Sequence, residues 1–142
     1  MSLKRSFDIA VSSIALVCAA PFMVAAATTM AIVNRSSPIF LQERMGQYGK
    51  LFNIIKIKSM RDAFNNAGDP ISDDKRTHAV GAWLRRSKLD ELPQLINILK
   101  GDMSFVGPRP LPKGEVIWIN EQIRSLNPPG LTGVYQISGG NI

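Results

Sequence analysis

The sequence predicts an α+β fold: a small, mainly helical domain with a β-hairpin, preceded by an apolar helix. Three observations predict it. Residues Ile9 to Val33 carry no charge. Two β-prone stretches, "IFLQ" (Ile39–Gln42) and "LFNIIKIK" (Leu51–Lys58), flank a segment holding Gly46 and Gly49, which suits a hairpin turn or bulge. Leu92, Leu95, Ile96 and Leu99 recur at the spacing of an amphipathic helix. A chain of 142 residues is long enough for one core. No repeat, low-complexity tract or linker divides it, so residues 1–142 read as a single domain.

The uncharged run is longer than the roughly 20 residues a bilayer-spanning helix needs. Pro21 stands near its middle. Proline removes a helix hydrogen bond and clashes with the preceding turn, so a break or kink is expected there. Both flanks are basic, with Lys4 and Arg5 before the run and Arg35 and Arg44 after it. The positive-inside rule draws both ends to the cytoplasm. A straight span cannot satisfy both ends, whereas a helix bent at Pro21 that enters and leaves on one face can. On composition alone an ordinary spanning anchor stays open. So does a cleaved signal peptide ending near Ala25-Ala26-Ala27, which makes the remainder a secreted basic binding protein.

Charge narrows the partners. Lys and Arg number 17 against 11 Asp and Glu, which suits anionic lipid, phosphorylated substrates or nucleic acid. Aromatic residues are few and none is interleaved with a basic run, so a nucleic-acid stacking platform is not expected. Cys18 and His78 are each alone in the chain, which excludes a disulfide framework and a cysteine- or histidine-rich metal cluster.

Along the rest of the chain, Ser36-Ser37-Pro38 breaks the helical pattern, and Phe52 and Ile54 share a strand face, with Ile57 a further candidate for it. Asn65–Asp74 is a loop by its Gly, Pro, Asn and Asp content. A helix is expected from Lys75 to Arg86, with Val80, Trp83 and Leu84 on one face and Asp73 or Asp74 as its cap. His78 on that helix reads as a surface or packing residue rather than a catalytic base. Gly101 stops the next helix. Pro93 is harmless only in a first turn, which puts Asp90 at or near the cap of that helix. There Asp90 and Glu91 face free N–H groups and the positive end of the dipole, an environment that keeps Asp90 ionised and attracts phosphate. Arg85, Arg86 and Lys88 add positive field. The plain alternative is a helix cap with no chemistry, worth roughly 0.3–1 kcal/mol. "GDMSFVGPRP" (Gly101–Pro110) is a poor strand or helix. Its Gly107, Pro108 and Pro110 hold Arg109 on a rigid backbone, ready for a phosphate, or form an ordinary turn with a surface arginine.

"RRSKLDELPQLINILKGDMSFVGPRPLP" resembles the signature of the bacterial sugar transferases, the monotopic phosphoglycosyl transferases. "QERMGQYGKLFNIIKIKSM" resembles the family's upstream segment and "PGLTGVYQISGGN" its downstream one, so the likeness covers nearly the whole chain. It implies a re-entrant membrane helix (residues 1–35) broken at Pro21, with residues 36–142 as a globular part on the cytoplasmic face of the bacterial inner membrane. It implies transfer of a sugar-1-phosphate from a nucleotide diphosphate sugar, usually a UDP-sugar, to polyprenol phosphate, with Mg²⁺, to initiate glycan or exopolysaccharide assembly. Asp90 matches the nucleophile and Glu91 its partner carboxylate, with Glu91 and Asp90 as the metal-binding positions. Arg86, Arg109, Lys56 and Lys58 match basic residues expected near phosphate or nucleotide, though Lys58 stands where arginine is common. Gln94, Pro108 and Pro110 match substrate-site motif positions, and Asn97, Asp102 and Ser104 further recurrent ones. The chemistry suits these residue types: a diphosphate must be neutralised before a carboxylate approaches it. An aspartate attacking phosphorus then splits one displacement into two.

Two departures stand out. The downstream motif often ends Gly-Arg-Asn, but Gly139-Gly140-Asn141 lacks the arginine. Family members also usually continue with further helices, whereas this chain ends at Ile142. They support a second reading from another class, a weakly active or inactive membrane-surface scaffold or partner-binding protein of the same fold. A second copy of the chain stands beside the sugar donor, polyprenol phosphate and the bilayer as a candidate partner.

Overall fold

The structure, a computed structural model, describes residues 2–62, 64, 67–69, 71–112 and 126–133. It is α+β. The first element, α1 (Leu3–Asn34), contains Pro21, and its helical conformation continues through that position. The expected break in helical conformation does not occur, and Pro21 lies inside one helical element. This helix is long and apolar enough to cross a membrane, and only 6% of its most apolar window is buried. Leu3, Phe7, Ile14, Val17, Phe22, Val24 and Ile32 are all exposed. Uncovered apolar surface of this extent is what lipid contact requires.

The expected hairpin follows as β1 (Ile39–Met45) and β2 (Leu51–Ile57), which form a two-stranded sheet. Its turn depends on left-handed backbone at Tyr48 (φ 55°) and Gly49 (φ 74°). Next come α2 (Asp73–Arg76), α3 (Ala79–Arg86), α4 (Gln94–Lys100), β3 (Ser104–Val106) and β4 (Gly130–Thr132).

Three expectations need correction. The single helix over Lys75–Arg86 is two, α2 and α3, because His78 has extended backbone (φ −109°, ψ 165°) and starts α3 as its cap. The face that α3 buries is Gly81 and Leu84, while Val80 and Trp83 are exposed. The segment read as neither strand nor helix contains β3, which pairs parallel with β4 through Ser104↔Gly130 and Val106↔Thr132.

The chain forms two compact units, each assembled from separated stretches. One takes its described residues from within Met1–Cys18, Leu41–Ile55 and Gln94–Ile142; the other is Ala19–Phe40 and Lys56–Pro93. In the second unit Met30, Ile57 and Leu84 form a buried cluster, with Ala26 and Leu89 packed against it. Gly81 is required there because a Cβ would lie 2.0 Å from the Ser59 carbonyl oxygen.

In the first unit the buried apolar side chains are Ile54, Leu95, Ile98 and Met103. Helix α4 turns Gln94, Leu95, Asn97 and Ile98 inward, while Ile96 and Leu99 are partly exposed. The expected apolar stripe is thus rotated, because two polar side chains on α4 have buried partners or sites of their own. Asn97 is fully buried; its Nδ2 donates to the Asn53 carbonyl (2.8 Å), and its Oδ1 accepts from the Ile55 N–H (3.1 Å). Gly101 ends α4 as expected, with φ +98° and its N–H returning to the Asn97 carbonyl. The start of α1 docks here. Arg5 donates to the carbonyls of Ile98 and Leu99 at the negative end of α4. Lys4 donates to the Val106 carbonyl, Asp8 accepts from the Phe105 N–H, and Phe7 meets Phe105 edge-on at 6.3 Å.

Candidate active site

In the second unit, α3 closes on Ser87, and Lys88 then takes a left-handed conformation (φ 59°) that reverses the chain. A single tight turn, Leu89–Glu91, follows. Leu89 anchors the turn on the Met30–Ile57–Leu84 cluster. Anchored this way, the turn leaves Asp90 only 8% exposed.

The helix-cap expectation for Asp90 is not met. Glu91 and Leu92 spend their N–H groups within the turn, on the carbonyls of Lys88 and Leu89, and Pro93 has none to offer. Helix α4 begins only at Gln94. Among the described residues, Asp90 Oδ1 has no hydrogen-bond partner although it is buried. Its carboxyl is accordingly pushed above the ordinary range. Burial is the main cause and the Glu91 charge the next, with Lys56 and Lys88 acting the other way. This is the reverse of a capped carboxylate, which accepts N–H bonds and holds its charge more easily.

Glu91 is engaged instead by Lys56, whose Nζ lies 2.8 Å from its Oε1. The two side chains are 24% and 28% exposed, so solvent partly screens the pair and its worth to stability is about 0–1 kcal/mol. Its consequence is positional: β2 delivers a cation to the carboxylate pair. Lys58, two residues on, is paired with Asp62 and Ser36. Arg86 is exposed on the last turn of α3. The structure thus brings together Asp90, Glu91 and Lys56 from the expected set and gives Lys58 other partners.

The first unit carries Gln94, Pro108, Arg109 and Pro110. Gln94 is buried as the first residue of α4. The Pro108–Pro110 segment is fixed at both ends. Ahead of it, Gly107 donates to the Thr132 carbonyl (3.0 Å), and Gly130 donates to the Pro108 carbonyl (2.9 Å). A Cβ on Gly130 would lie 2.1 Å from the Gly107 nitrogen, so only glycine admits this approach. Behind it, Met45 donates to the Leu111 carbonyl and Arg44 bridges to Pro112. Arg109 is an exposed residue between these anchors. The expected rigidity of the segment is present. Gly139-Gly140-Asn141 lies outside the described residues, as does part of the Asn65–Asp74 loop.

Sequence reasoning missed Asp8 and Asn34 among the residues that hold these elements, and it gave Arg5 and Asn97 no structural role, naming them only as a basic flank and a motif position. The signals were present but weak. Asp8 is a lone acid at the edge of an apolar run, and Asn97 is an amide inside an apolar helical pattern.

An α+β fold behind a helix long and apolar enough to cross a membrane, with a buried carboxylate beside a lysine-held one, describes a protein with an acidic centre. More narrowly, the family model for bacterial sugar transferase matches residues 1–142, and the chain belongs to that family. It is 38% identical to the undecaprenyl-phosphate galactose phosphotransferase of Salmonella typhimurium, over 98% of this chain and 33% of that protein. It is 37% identical to the uncharacterized sugar transferase EpsL of Bacillus subtilis, over 99% of this chain and 71% of that one. It is 39% identical to the UDP-glucose:undecaprenyl-phosphate glucose-1-phosphate transferase of Klebsiella pneumoniae, over 98% of this chain and 31% of that one. The chain therefore spans about a third of the length of the Salmonella and Klebsiella relatives.

Proposed function

We propose that the protein transfers a sugar-1-phosphate from a nucleotide diphosphate sugar, a UDP-sugar in the first instance, to polyprenol phosphate through a covalent intermediate on Asp90. The observation that carries this reading is the buried Asp90 carboxylate, with an oxygen bound to nothing else among the described residues. A nucleophile must not be tied up in hydrogen bonds, and poor solvation raises its reactivity. The relatives named for undecaprenyl phosphate and UDP-glucose supply the substrate classes.

An Asp90 oxygen attacks the phosphorus that bears the sugar. The bond from that phosphorus to the bridging oxygen breaks, and the nucleoside monophosphate leaves with the electron pair. A phosphate oxygen of the polyprenol phosphate then attacks the same phosphorus. The acyl phosphate bond breaks, Asp90 is regenerated and the sugar is left on a polyprenyl diphosphate. Lys56 holds Glu91 beside the attacking group, and Arg86 and Arg109 serve the donor's phosphate or nucleotide.

Mg²⁺ suits these residues. It takes one or two carboxylates together with substrate phosphates rather than a full protein cage, and an adjacent acid pair with one unpartnered oxygen is such a set. Glu91 and Asp90 would hold it, and when bound it neutralises diphosphate charge.

Incubation with a UDP-sugar and Mg²⁺ alone, followed by peptide mass mapping, tests the reading. A phospho-sugar adduct on the peptide containing Asp90, with nucleoside monophosphate released before any lipid is added, is the expected result. Turnover with no adduct at Asp90 sinks the covalent route, and no turnover with any nucleotide sugar favours the scaffold. Arg109→Lys keeps the charge but loses the planar fork, so donor use should fall by at least about tenfold, with Arg109→Ala worse. If both variants use donor like the parent, the Pro-Arg-Pro segment is only structural.

The same proposal places the protein on the cytoplasmic face as a monotopic protein. Support comes from the basic residues on both flanks of the apolar run, Lys4 and Arg5 before it and Arg35 and Arg44 after it. A cysteine placed near Ser2 should resist an impermeant reagent applied to intact cells, and Pro21→Leu should begin to expose it. Labelling of that cysteine from outside with Pro21 in place overturns the topology.

A further inference from the structure

His78 has no part in the transfer chemistry, yet both of its ring nitrogens are committed. Nδ1 accepts from the Gly81 N–H at 3.1 Å and so caps α3. Nε2 lies 3.1 Å from Asn34 Oδ1 in the last turn of α1. The amide of Asn34 is committed too, since its Nδ2 donates to the Lys58 carbonyl at 2.9 Å, just past β2.

The directions follow from one fixed point. A backbone N–H can only donate, so Nδ1 must present its lone pair to Gly81. The proton of the neutral ring is then on Nε2 and is given to Asn34 Oδ1. The amide passes the polarity on through Nδ2 to the Lys58 carbonyl. Gly81, His78, Asn34 and Lys58 therefore form one directed chain of three hydrogen bonds, and it joins the start of α3, the end of the apolar helix and the end of β2. Only one charge state of His78 completes it. A proton on Nδ1 would point at the Gly81 N–H, two donors facing each other, and α3 would lose its cap.

We propose that His78 is a proton-sensitive clasp that ties the last turn of α1 to the start of α3 and the end of β2 when neutral and releases α3 when protonated. The surroundings favour the neutral form. Arg61, from the segment after β2, places a positive charge toward the ring, and α3 offers no acid in its first turn. On α1 the partner is a neutral amide. The nearby Lys58 ammonium is held by Asp62 and Ser36, and Arg76 is bonded to the Arg61 carbonyl. Burial and Arg61 together hold the ring below the ordinary 6.5. A depressed folded value means the clasp contributes fully above 6.5 and is lost as the pH falls through that lower value.

The clasp bears on the acidic turn because α3 leads directly through Ser87 and Lys88 into Leu89–Glu91. His78 is thus a positioning residue, and that one consequence rests on the proposed transfer reaction. The clasp itself does not, so the two fail separately.

His78 is the only histidine in the chain, so ¹⁵N-histidine labelling of the full protein in detergent or nanodiscs reports it alone. At about pH 8 the expected spectrum has a pyridine-type Nδ1 and a pyrrole-type Nε2, and titration should give a pKa below 6.5. Asn34→Asp should raise that pKa, because a carboxylate in place of the amide favours the charged ring. The unfolding temperature of the parent should fall between about pH 8 and 5. His78→Asn, which caps a helix without titrating, should flatten that fall. An Nδ1–H tautomer at pH 8, a pKa above 6.5, or no response to Asn34→Asp overturns the clasp. A His78→Asn protein that keeps the parent's full acid sensitivity overturns the proton-sensing part.

Discussion

Asp90→Asn is expected to abolish turnover while leaving the protein at least as stable as the parent at neutral pH. The amide keeps the shape of the carboxylate but is a poor nucleophile. Formation of lipid-linked sugar should drop on the order of 10⁴-fold or more, the scale seen when a covalent nucleophile is removed. The stability half of the result follows from the environment. The Asp90 carboxyl is raised above 3.8, by burial first and by Glu91 second. A raised folded value means that the folded state binds the proton more tightly than the unfolded chain does. That contribution is full below 3.8 and is lost as the pH rises through the folded value, so at pH 7 the parent carries the cost of a buried charge. Asparagine removes that cost and offers an N–H toward Glu91 where there was repulsion. The melting difference in favour of the variant should therefore narrow as the pH falls toward 3.8. The same shift predicts that parent activity declines on its acid side at a pH higher than an ordinary aspartate would give. A variant that turns over, or one less stable than the parent at neutral pH, contradicts the assignment. The second outcome would mean that Asp90 is held by bonds that only its charge can make.

The legible parts of this fold are those written in local periodicity or in a single special residue. The apolar run reads as a long helix, and it forms one. The hairpin was announced by two β-prone stretches around Gly46 and Gly49, and the end of α4 by Gly101. The β3–β4 pair was not legible, because a parallel partner 26 residues away (Ser104↔Gly130) leaves no local pattern. Glycine and proline around Arg109 look like a turn, yet Gly107 is there to let its backbone meet that of Gly130. The start of α3 was misplaced because histidine is not among the residues that ordinarily cap helices.

The acidic pair was found but its surroundings were read with the wrong sign. Asp90 and Glu91 followed by Pro93 have the look of a helix start, yet a separate turn uses the N–H groups that a cap would need. Whether a carboxylate meets those groups or only its neighbour depends on a tight turn set by Lys88 in a left-handed conformation. No propensity argument anticipates lysine there.

Asn97 is where a second large effect is expected, and it separates a packing role from a hydrogen-bonding one. Asn53 and Ile55 are two residues apart, so the carbonyl and N–H that Asn97 engages lie on one edge of β2. The same side chain also reaches Asp102 Oδ2 at 3.3 Å, and its own carbonyl receives the N–H groups of Gly101 and Asp102. Asn97→Ala leaves the part-buried Asn53 carbonyl and Ile55 N–H without this partner, at about 1–3 kcal/mol each, so the loss should be about 2–6 kcal/mol. That is a large fraction of the stability of an ordinary domain, about 5–15 kcal/mol. Asn97→Asp refines the test. Ionised, it can accept from Ile55 but cannot donate to the Asn53 carbonyl, and it faces the Asp102 carboxylate. Protonated, it regains a donor and loses the repulsion. Its melting temperature should therefore climb toward that of the parent as the pH falls through the carboxylate range, whereas Asn97→Ala should stay low throughout. If the alanine variant costs less than about 1 kcal/mol, the β2 edge finds other partners and α4 is held by Leu95 and Ile98 alone. If the aspartate variant shows no recovery in acid, shape at this position matters and the donated hydrogen bond does not.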